Sequence, residues 1–542
     1  MTTRPVECIA WKQYAKGVSD GNMREASQKP ATLPQMSCMV GLCSEPTHYH
    51  ELHDYAQRRI ARKVPVNTPT AHYSSMIKKW TRCRAAYGGS DDVKAGGTRF
   101  LPPLDSHEGT PVEYDDYLQR AMFYNATGRT VDGLVGAIFN REPEFDAKAI
   151  ESLGHLEDVT MSGDSASAFA SKLAREVFIT GRYGTLMEMT EAGEGADGTS
   201  GPPRPYWVGY QAEDIISTRT KRIDGGDVLC RVVLREYVEE PKEDDPFMFD
   251  EVEQYRVLYL HADEGEHDSS GAEFYRQDTY RQADSGEWVL QGQTRTPMRR
   301  GEKMSFIPMG IVGPTGIDDC PKRPPLIDLV DVNLSHYRTM ADLEHGRHYT
   351  ALPTPWVSGL SSDDTTPLRI GSSEAWILEP GGRADMLEFT GQGLGALQTA
   401  EMDKRQMMAT LGARLLESQD SRGVETATAV AMRHAGDHAT LRSVATSIEL
   451  AITQMLRWHT WWVGTDKMPS EADASAELNK DFFTQQMTPQ ALQAWVFAWQ
   501  SGAASFETMF RAMQRGDAYA PGWTPEEEKH RINSDETAVI EN

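Results

Sequence analysis

The sequence predicts a mixed α+β fold, and three blocks of pattern predict it. Residues 323–428 set two long helical patterns on either side of a short, turn-rich strand segment. Residues 183–312 change to β character, with alternating and β-branched runs between Gly, Asp and Pro clusters. Helical patterns occupy 66–182 before this block and 425–463 after it. A chain of 542 residues has room for two to four domains, and 39% apolar residues excludes a disordered one.

In chain order, residues 1–60 are polar and irregular and are expected to form an N-terminal arm. The cluster Cys38, Cys43, His48, His50 and His53 holds zinc-ligand types, but C-x4-C followed by H-x-H fits no well-spaced tetrahedral site. Helices are expected over 66–85, with Tyr73, Met76, Ile77 and Trp80, and over 112–140, with Tyr117, Ala121, Tyr124, Leu134, Val135 and Ile138. A third, SASAFASKLAREVFITG, carries Phe169, Leu173, Val177 and Phe178 on one side and ends at Gly181.

The β block contains GTLMEM, RPYWVGY, DVLCRVVLREYVE, VEQYRVLYLH and EWVLQGQ, then SFIPMGIVGP at 305–314. Its acidic segments 191–203 and 239–246 are expected to be exposed loops. After Pro324 and Pro325, a helix is predicted with Ile327, Val330, Leu334, Tyr337 and Ala341 on one face. Asp328, Asp331, Arg338, Asp342 and Glu344 lie on the opposite face, which is expected to meet water. The second long helix places Leu397, Ala400, Lys404, Met407, Leu411 and Leu415 in one stripe. A polar segment, Glu417 to Gly423, leads to a long helix in which Leu441, Ile448, Met455 and Trp462 recur every seven residues. A linker and one strand at 466–486 precede two amphipathic helices, the first opened by Thr488-Pro489 and ended by Gly502. The charged tail from Pro521 is expected to carry no fixed element.

Composition excludes several function classes. No stretch of 18 apolar residues occurs, and MTTRPVECIAWKQYAK lacks the apolar core of a signal peptide, so a soluble protein of a reducing cytoplasm is expected. Cys8, Cys38, Cys43, Cys83, Cys230 and Cys320 are too scattered for a disulfide framework. A formal charge of −25 opposes a broad basic grip on nucleic acid, but not a surface past which DNA slides. GQGLGA at 391–396 satisfies G-x-G-x-x-A after a strand-like DMLEF, yet no repeated βαβ units surround it. Gly391, Gly393 and Gly395 are read instead as a hinge. His434 and His438 stand at i and i+4 without the general-base Glu of a zinc helix. There is no P-loop and no G-x-S-x-G elbow, so neither nucleotide hydrolysis by a P-loop nor elbow-type hydrolase chemistry is expected.

The wording of the central block is similar to one known family. PPLIDLVDVNLSHY at 324–337 and ADLEHGRHYTALPTPWVSGL at 341–360 resemble the portal proteins of tailed bacteriophages, in the branch whose stem helix reads PPLxDLxDxNxxHY. Further echoes are WTRCRAAYGG at 80–89, YNATGRTVDGLVGAIFNREP at 124–143, LGARLLE at 411–417 and ETATAVAMR at 425–433. The resemblance implies a portal fold assembled as a ring of about twelve. It has a wing (61–324), a first stem helix (325–348), a clip (349–391) and a second stem helix (392–416). A tunnel loop (417–424), a long wing helix (425–465), a crown (466–520) and a C-terminal tail (521–542) follow.

It also implies a non-enzymatic conduit at one capsid vertex, in the virion and in the host cytoplasm during assembly. Double-stranded DNA passes through it during packaging and ejection. Its partners are the terminase motor, head–tail adaptor proteins and the major capsid protein; no cofactor, metal or membrane is involved. The tunnel loop maps onto Glu417, Ser418, Gln419, Asp420, Ser421, Arg422 and Gly423, whose neutral and mixed-charge groups suit transient phosphate contact. Trp356 falls in the clip as a partner contact. Arg338, Lys404 and Arg405 are candidate channel-lining cations, with salt bridging between subunits to Asp342 or Glu344 as the alternative. Two other readings remain: a cofactor-binding or nucleic-acid-processing enzyme resting on GQGLGA or the histidine pairs, and another virion structural protein.

Overall fold

The computed structural model describes residues 65–104, 111–190, 204–223, 225–242, 245–262, 273–351, 354–359, 380–387, 391–416, 427–464, 466–480, 489–515 and 523–540, with 378, 482 and 519 as single residues. The chain divides into two units, Met1–Pro65 and Val66–Asn542, and the description concerns the second. The 1–60 arm, its Cys/His cluster and the Glu417–Gly423 loop lie outside the described residues.

The unit opens with helices. Helix α1 (Ala71–Gly88) starts where the Thr70 side chain accepts a hydrogen bond from Tyr73 N at 3.2 Å, and it buries Trp80 completely. Helix α2 (Ser90–Ala95) and a 3₁₀ turn follow. The helix expected over 112–140 is two helices, α3 (Pro111–Arg120) and α4 (Ala126–Ile138). Asn125 makes the break: its side chain accepts from Gly128 N at 2.7 Å and caps α4. After β1 (Glu144–Asp146) and α5 (Lys148–Glu151), helix α6 (Ala166–Thr180) ends at Gly181, whose left-handed φ of 74° lets its N–H reach Val177 O at 2.9 Å.

Two antiparallel sheets form next. Strands β2 (Tyr183–Met189) and β3 (Pro205–Gln211) belong to the first. Strands β4 (Ile215–Ile223), β5 (Gly226–Lys242), β6 (Asp245–Ala262), β7 (Glu273–Gln282) and β8 (Trp288–Arg295) form the second as a meander in that order. The segment expected as an acidic loop at 239–246 is strand at 239–242 and 245–246, because β5 and β6 run on past their neighbours. After the short pair β9 (Met298–Arg299) and β10 (Glu302–Lys303), β11 (Met309–Gly313) and β12 (Gly316–Ile317) complete the first sheet in the order β12-β11-β2-β3.

The long helices come last. Helix α7 (Ile327–Ala351), strands β13 (Thr354–Ser358) and β14 (Arg383–Leu387), and helix α8 (Gln392–Leu416) precede α9 (Ala427–Val463). Strand β15 (Ser475–Glu477) pairs with β1. Helix α9 packs across the first sheet and α6. Its seven-residue stripe is the reason: Leu441, Ile448 and Met455 are fully buried and Trp462 nearly so, each contributing on the order of 1.5–3 kcal/mol. Helices α10 (Pro489–Gln500), α11 (Phe506–Arg515) and α12 (Pro525–Ile540) close the chain. The tail thus carries a helix that was not expected. Thr524 accepts from Glu527 N while Glu527 accepts from Thr524 N, a capping box with Pro525 in the first turn. Among the described residues no helix is long and apolar enough to cross a membrane.

One buried polar chain in this core has a pH signature. Trp207 Nε1, which can only donate, donates to His459 Nδ1 at 3.1 Å, so the His459 proton sits on Nε2 and is donated to His155 Nδ1 at 3.0 Å. Burial, aided by His155 and Arg204, pushes His459 down to about 3. In the unfolded chain the ring takes a proton below its ordinary 6.5; in the folded chain it stays neutral to about 3. The unfolded state therefore binds more protons between these values, and stability falls with falling pH by about 1.4 kcal/mol per unit for this group. Urea unfolding at several pH values from 7.5 down to 4.5 should show that slope. His459→Phe should be less stable at neutral pH but show a shallower fall, and parallel slopes would refute the assignment.

Candidate functional site

Helices α7 and α8 lie side by side and antiparallel, joined through β13 and β14. Their contacts step in opposite directions along the chain. His336 meets Glu401, Ser335 and Thr339 meet Lys404, Gly346 faces Leu394, and Thr350 faces Gly391. At 25 residues each is about 37 Å long.

The base of this hairpin is fixed in the helical body by polar contacts that the apolar pattern did not disclose. Asn333 is completely buried. Its Oδ1 accepts from Thr127 N at 3.1 Å and Thr127 Oγ1 at 2.9 Å, and its Nδ2 donates to Tyr124 O at 2.8 Å, joining α7 to the first turn of α4. Tyr117 donates to Asp342 at 2.6 Å, and Arg82 pairs with Asp331 at 3.0 Å. The face expected to meet water does so at Asp328, Asp331 and Arg338, which are exposed, while Asp342 and Glu344 are half-buried and Asp342 is drawn to Tyr117 of α3. Where α8 crosses α4, a Cβ on Gly412 would lie 2.8 Å from Thr130 Oγ1, so only glycine allows this approach. The second stripe is rotated from the expected one. Glu401, Met408 and Gly412 are buried, while Met407 is 54% exposed.

Between the helices, buried His336 Nε2 donates to buried Glu401 at 3.0 Å, and Arg405 also pairs with Glu401. Burial would raise the Glu401 carboxyl, but the His336 and Arg405 hydrogen bonds outweigh it and hold the group below its ordinary value.

The three candidate cations have different surroundings. Arg338 donates from Nε to Phe100 O at 2.9 Å. Lys404 turns inward, its Nζ donating to Ser335 O at 3.2 Å and to Thr339 Oγ1. Burial lowers its pKa, Asp342 opposes that, and Arg338 adds to it. Arg405 keeps a 59% exposed side chain.

Beyond Glu344 on α7 and before Glu401 on α8, no described residue of either helix is buried. At this exposed end β13 and β14 pair antiparallel with Trp356 opposite Asp385, and Trp356 is 42% exposed. Gly359, at φ 82°, approaches Gly382 so closely that a Cβ would lie 2.7 Å from the Gly382 Cα. Gly391 opens α8 with φ 64°, and the strand before it belongs to a two-stranded antiparallel pair. The parallel βαβ setting of a dinucleotide site is thus not present at GQGLGA. His434 and His438 fall on α9, but their side chains are outside the described set. Among the described residues no group of three or more His, Cys, Asp or Glu could hold a metal ion.

A family model described as "Domain of unknown function (DUF4055)" matches residues 325–463, the span of the hairpin and α9. No curated protein matches the chain. Among solved structures, the chain is similar to one from the virion of a native gene transfer agent particle, at 11% identity and TM-score 0.31, over 73% of this chain and 90% of that one. A chain from the neck of the native particle, computed with C12 symmetry, gives 11% and 0.32, over 73% and 91%. One from the neck of the empty particle, computed with C6 symmetry, gives 11% and 0.33, over 76% and 94%.

Proposed function

We propose that this chain is a ring-forming portal subunit, a conduit through which double-stranded DNA enters and leaves a tailed-phage capsid. The observation that carries the reading is the hairpin. Two helices of equal length run antiparallel, anchored in the body at one end by Asn333, Asp342 and Gly412. At the other they are exposed and tipped by a small β pair. Such a hairpin supports the stem and clip that the resemblance of PPLIDLVDVNLSHY at 324–337 implies. Single-chain exposure of Met402 and Met407 on α8 also supports it, since side-by-side repetition would cover such a face.

The mechanism is geometric and electrostatic. Heterologous contacts close a cyclic ring, and α7 and α8 wall the passage. Twelve copies would carry a formal charge of roughly −300, twelve times the −25 of one chain, and acidic walls keep the duplex from adhering while it moves. Within that wall Arg405, Lys404 and Arg338 supply cations, and Glu417–Gly423 contacts DNA. The β pair with Trp356 meets the terminase and later the adaptor proteins, and the wing meets the major capsid protein.

Negative-stain images of the purified chain test this: flanged rings with a central hole and about twelve-fold symmetry are expected. A compact monomer or dimer with bound nucleotide would favour an enzyme, and tubes or shells another virion component.

A further inference from the structure

Strands β5 and β6 outrun their sheet. Strand β4 pairs with β5 only as far as Ile215 opposite Leu234, and β7 pairs with β6 only as far as Arg281 opposite Gln254. Beyond these points Tyr237–Lys242 and Asp245–Glu253 continue as a two-stranded arm on the order of 20 Å long. A lone ribbon of this kind is marginal in water. One of its faces is also poorly suited to water, with Tyr237 52%, Phe249 54% and Phe247 89% exposed.

Charge on the same face is unbalanced. Register sets Glu239 directly opposite Glu251, both exposed, and neither forms an ion pair among the described residues. The next pair along, Glu240 and Asp250, is neutralised by Arg281 and Lys242. Like charges in register weaken a strand pair, so Glu239 and Glu251 await a cation. At the far end of the same sheet the sign is reversed. Arg219 stands opposite Arg231, both exposed and without an ion pair among the described residues, beside exposed Ile223 and half-buried Val228. Arg231 and Glu239 are eight residues apart on β5, so they share a face about 26 Å apart and cannot neutralise each other within one chain.

We propose that the acidic, aromatic arm of one copy docks on the Arg219/Arg231 end of the sheet in the next copy. The contact joins two unlike patches at opposite ends of one sheet, which is the heterologous geometry that closes a ring. Phe247 and Phe249 would cover Ile223 and Val228, while Glu239 and Glu251 meet the arginine pair. The inference rests on the ring reading above and names one of its subunit contacts.

Charge reversal tests it on the full chain. Glu239→Lys with Glu251→Lys, and separately Arg219→Glu with Arg231→Glu, should each weaken self-association by about 10- to 100-fold in mass photometry across a concentration series. A third variant, Glu239→Lys alone, replaces a like-charged pair by an opposite pair. Its protomer should melt no lower than the unaltered chain, which separates loss of docking from loss of folding. The decisive step is mixing: the two double variants, each impaired alone, should assemble together in alternation. Assembly unchanged by either reversal overturns the inference and leaves the ring reading standing. Weakening without recovery on mixing overturns it too, assigning the arm to a different protein. An unaltered chain that never assembles overturns both.

Discussion

Replacing Asn333 by alanine should destabilise the protein by about 3–5 kcal/mol. Three hydrogen bonds disappear together, and Thr127 N and Thr127 Oγ1 are left in a site closed to water by the burial of Asn333 and Thr127, while Tyr124 O keeps its bond from Ala126 N. Each stranded polar group costs about 1–3 kcal/mol, whereas an ordinary net hydrogen bond is worth nearer 1. Desolvation of the orphaned groups decides the size of the effect. Asn333→Asp should also be damaging, since it cannot donate to the Tyr124 carbonyl and places a carboxylate in a closed site. Urea unfolding of Asn333→Ala measures this directly. A loss under about 1 kcal/mol would mean that water replaces the side chain and that the base of α7 is looser than its packing indicates.

The second large effect lies between the two helices. His336→Leu strands the Glu401 carboxylate with only Arg405 beside it, and Glu401→Leu leaves the His336 ring without its acceptor. Removing one member of a buried pair costs about 3–5 kcal/mol, while removing both often costs little. His336→Leu with Glu401→Leu should therefore be more stable than either single variant, with an interaction energy of a few kcal/mol. Acid acts through the same contact. The folded Glu401 carboxyl titrates below its ordinary value, so its contribution is present above the unfolded pKa and is lost as pH falls through the folded one. Strictly additive single and double variants would show that the pair does not clamp α7 to α8.

Local signals in the sequence located most elements, and long-range partners account for most of what it hid. Gly181 and Thr488-Pro489 mark a helix end and a helix start through backbone preferences that need no tertiary context. The α9 stripe is legible because one side of a long helix meets a continuous sheet and core. The polar face of α7 reads as solvated and is exposed at Asp328, Asp331 and Arg338; the half-buried Asp342 departs from that pattern because Tyr117, which donates to it, lies 225 residues away. Asn333 and His336 interrupt the apolar pattern inside PPLIDLVDVNLSHY, and that interruption is the one signal in the sequence that could have found them.

Other differences have local causes. The acidic arm reads as loop because Pro241, Pro246 and a run of carboxylates argue against a central strand, and the structure places them on a two-stranded ribbon where proline and charge are tolerated. Asn125 before Ala126 and Thr524-x-x-Glu527 before α12 are capping signals present in the sequence. Spacing with Leu411 puts Met407 in the packed stripe, yet glycine at 412 and Met408 turn the neighbouring face inward instead.

The most direct measurement is an electron cryo-microscopy map of the assembled chain. A closed ring is expected, in which the α7–α8 hairpin of every copy runs along an open axial bore wide enough for duplex DNA, with β13 and β14 at one mouth. A particle in which these hairpins are buried away from any axial opening, or a chain that remains monomeric at high concentration, would contradict it.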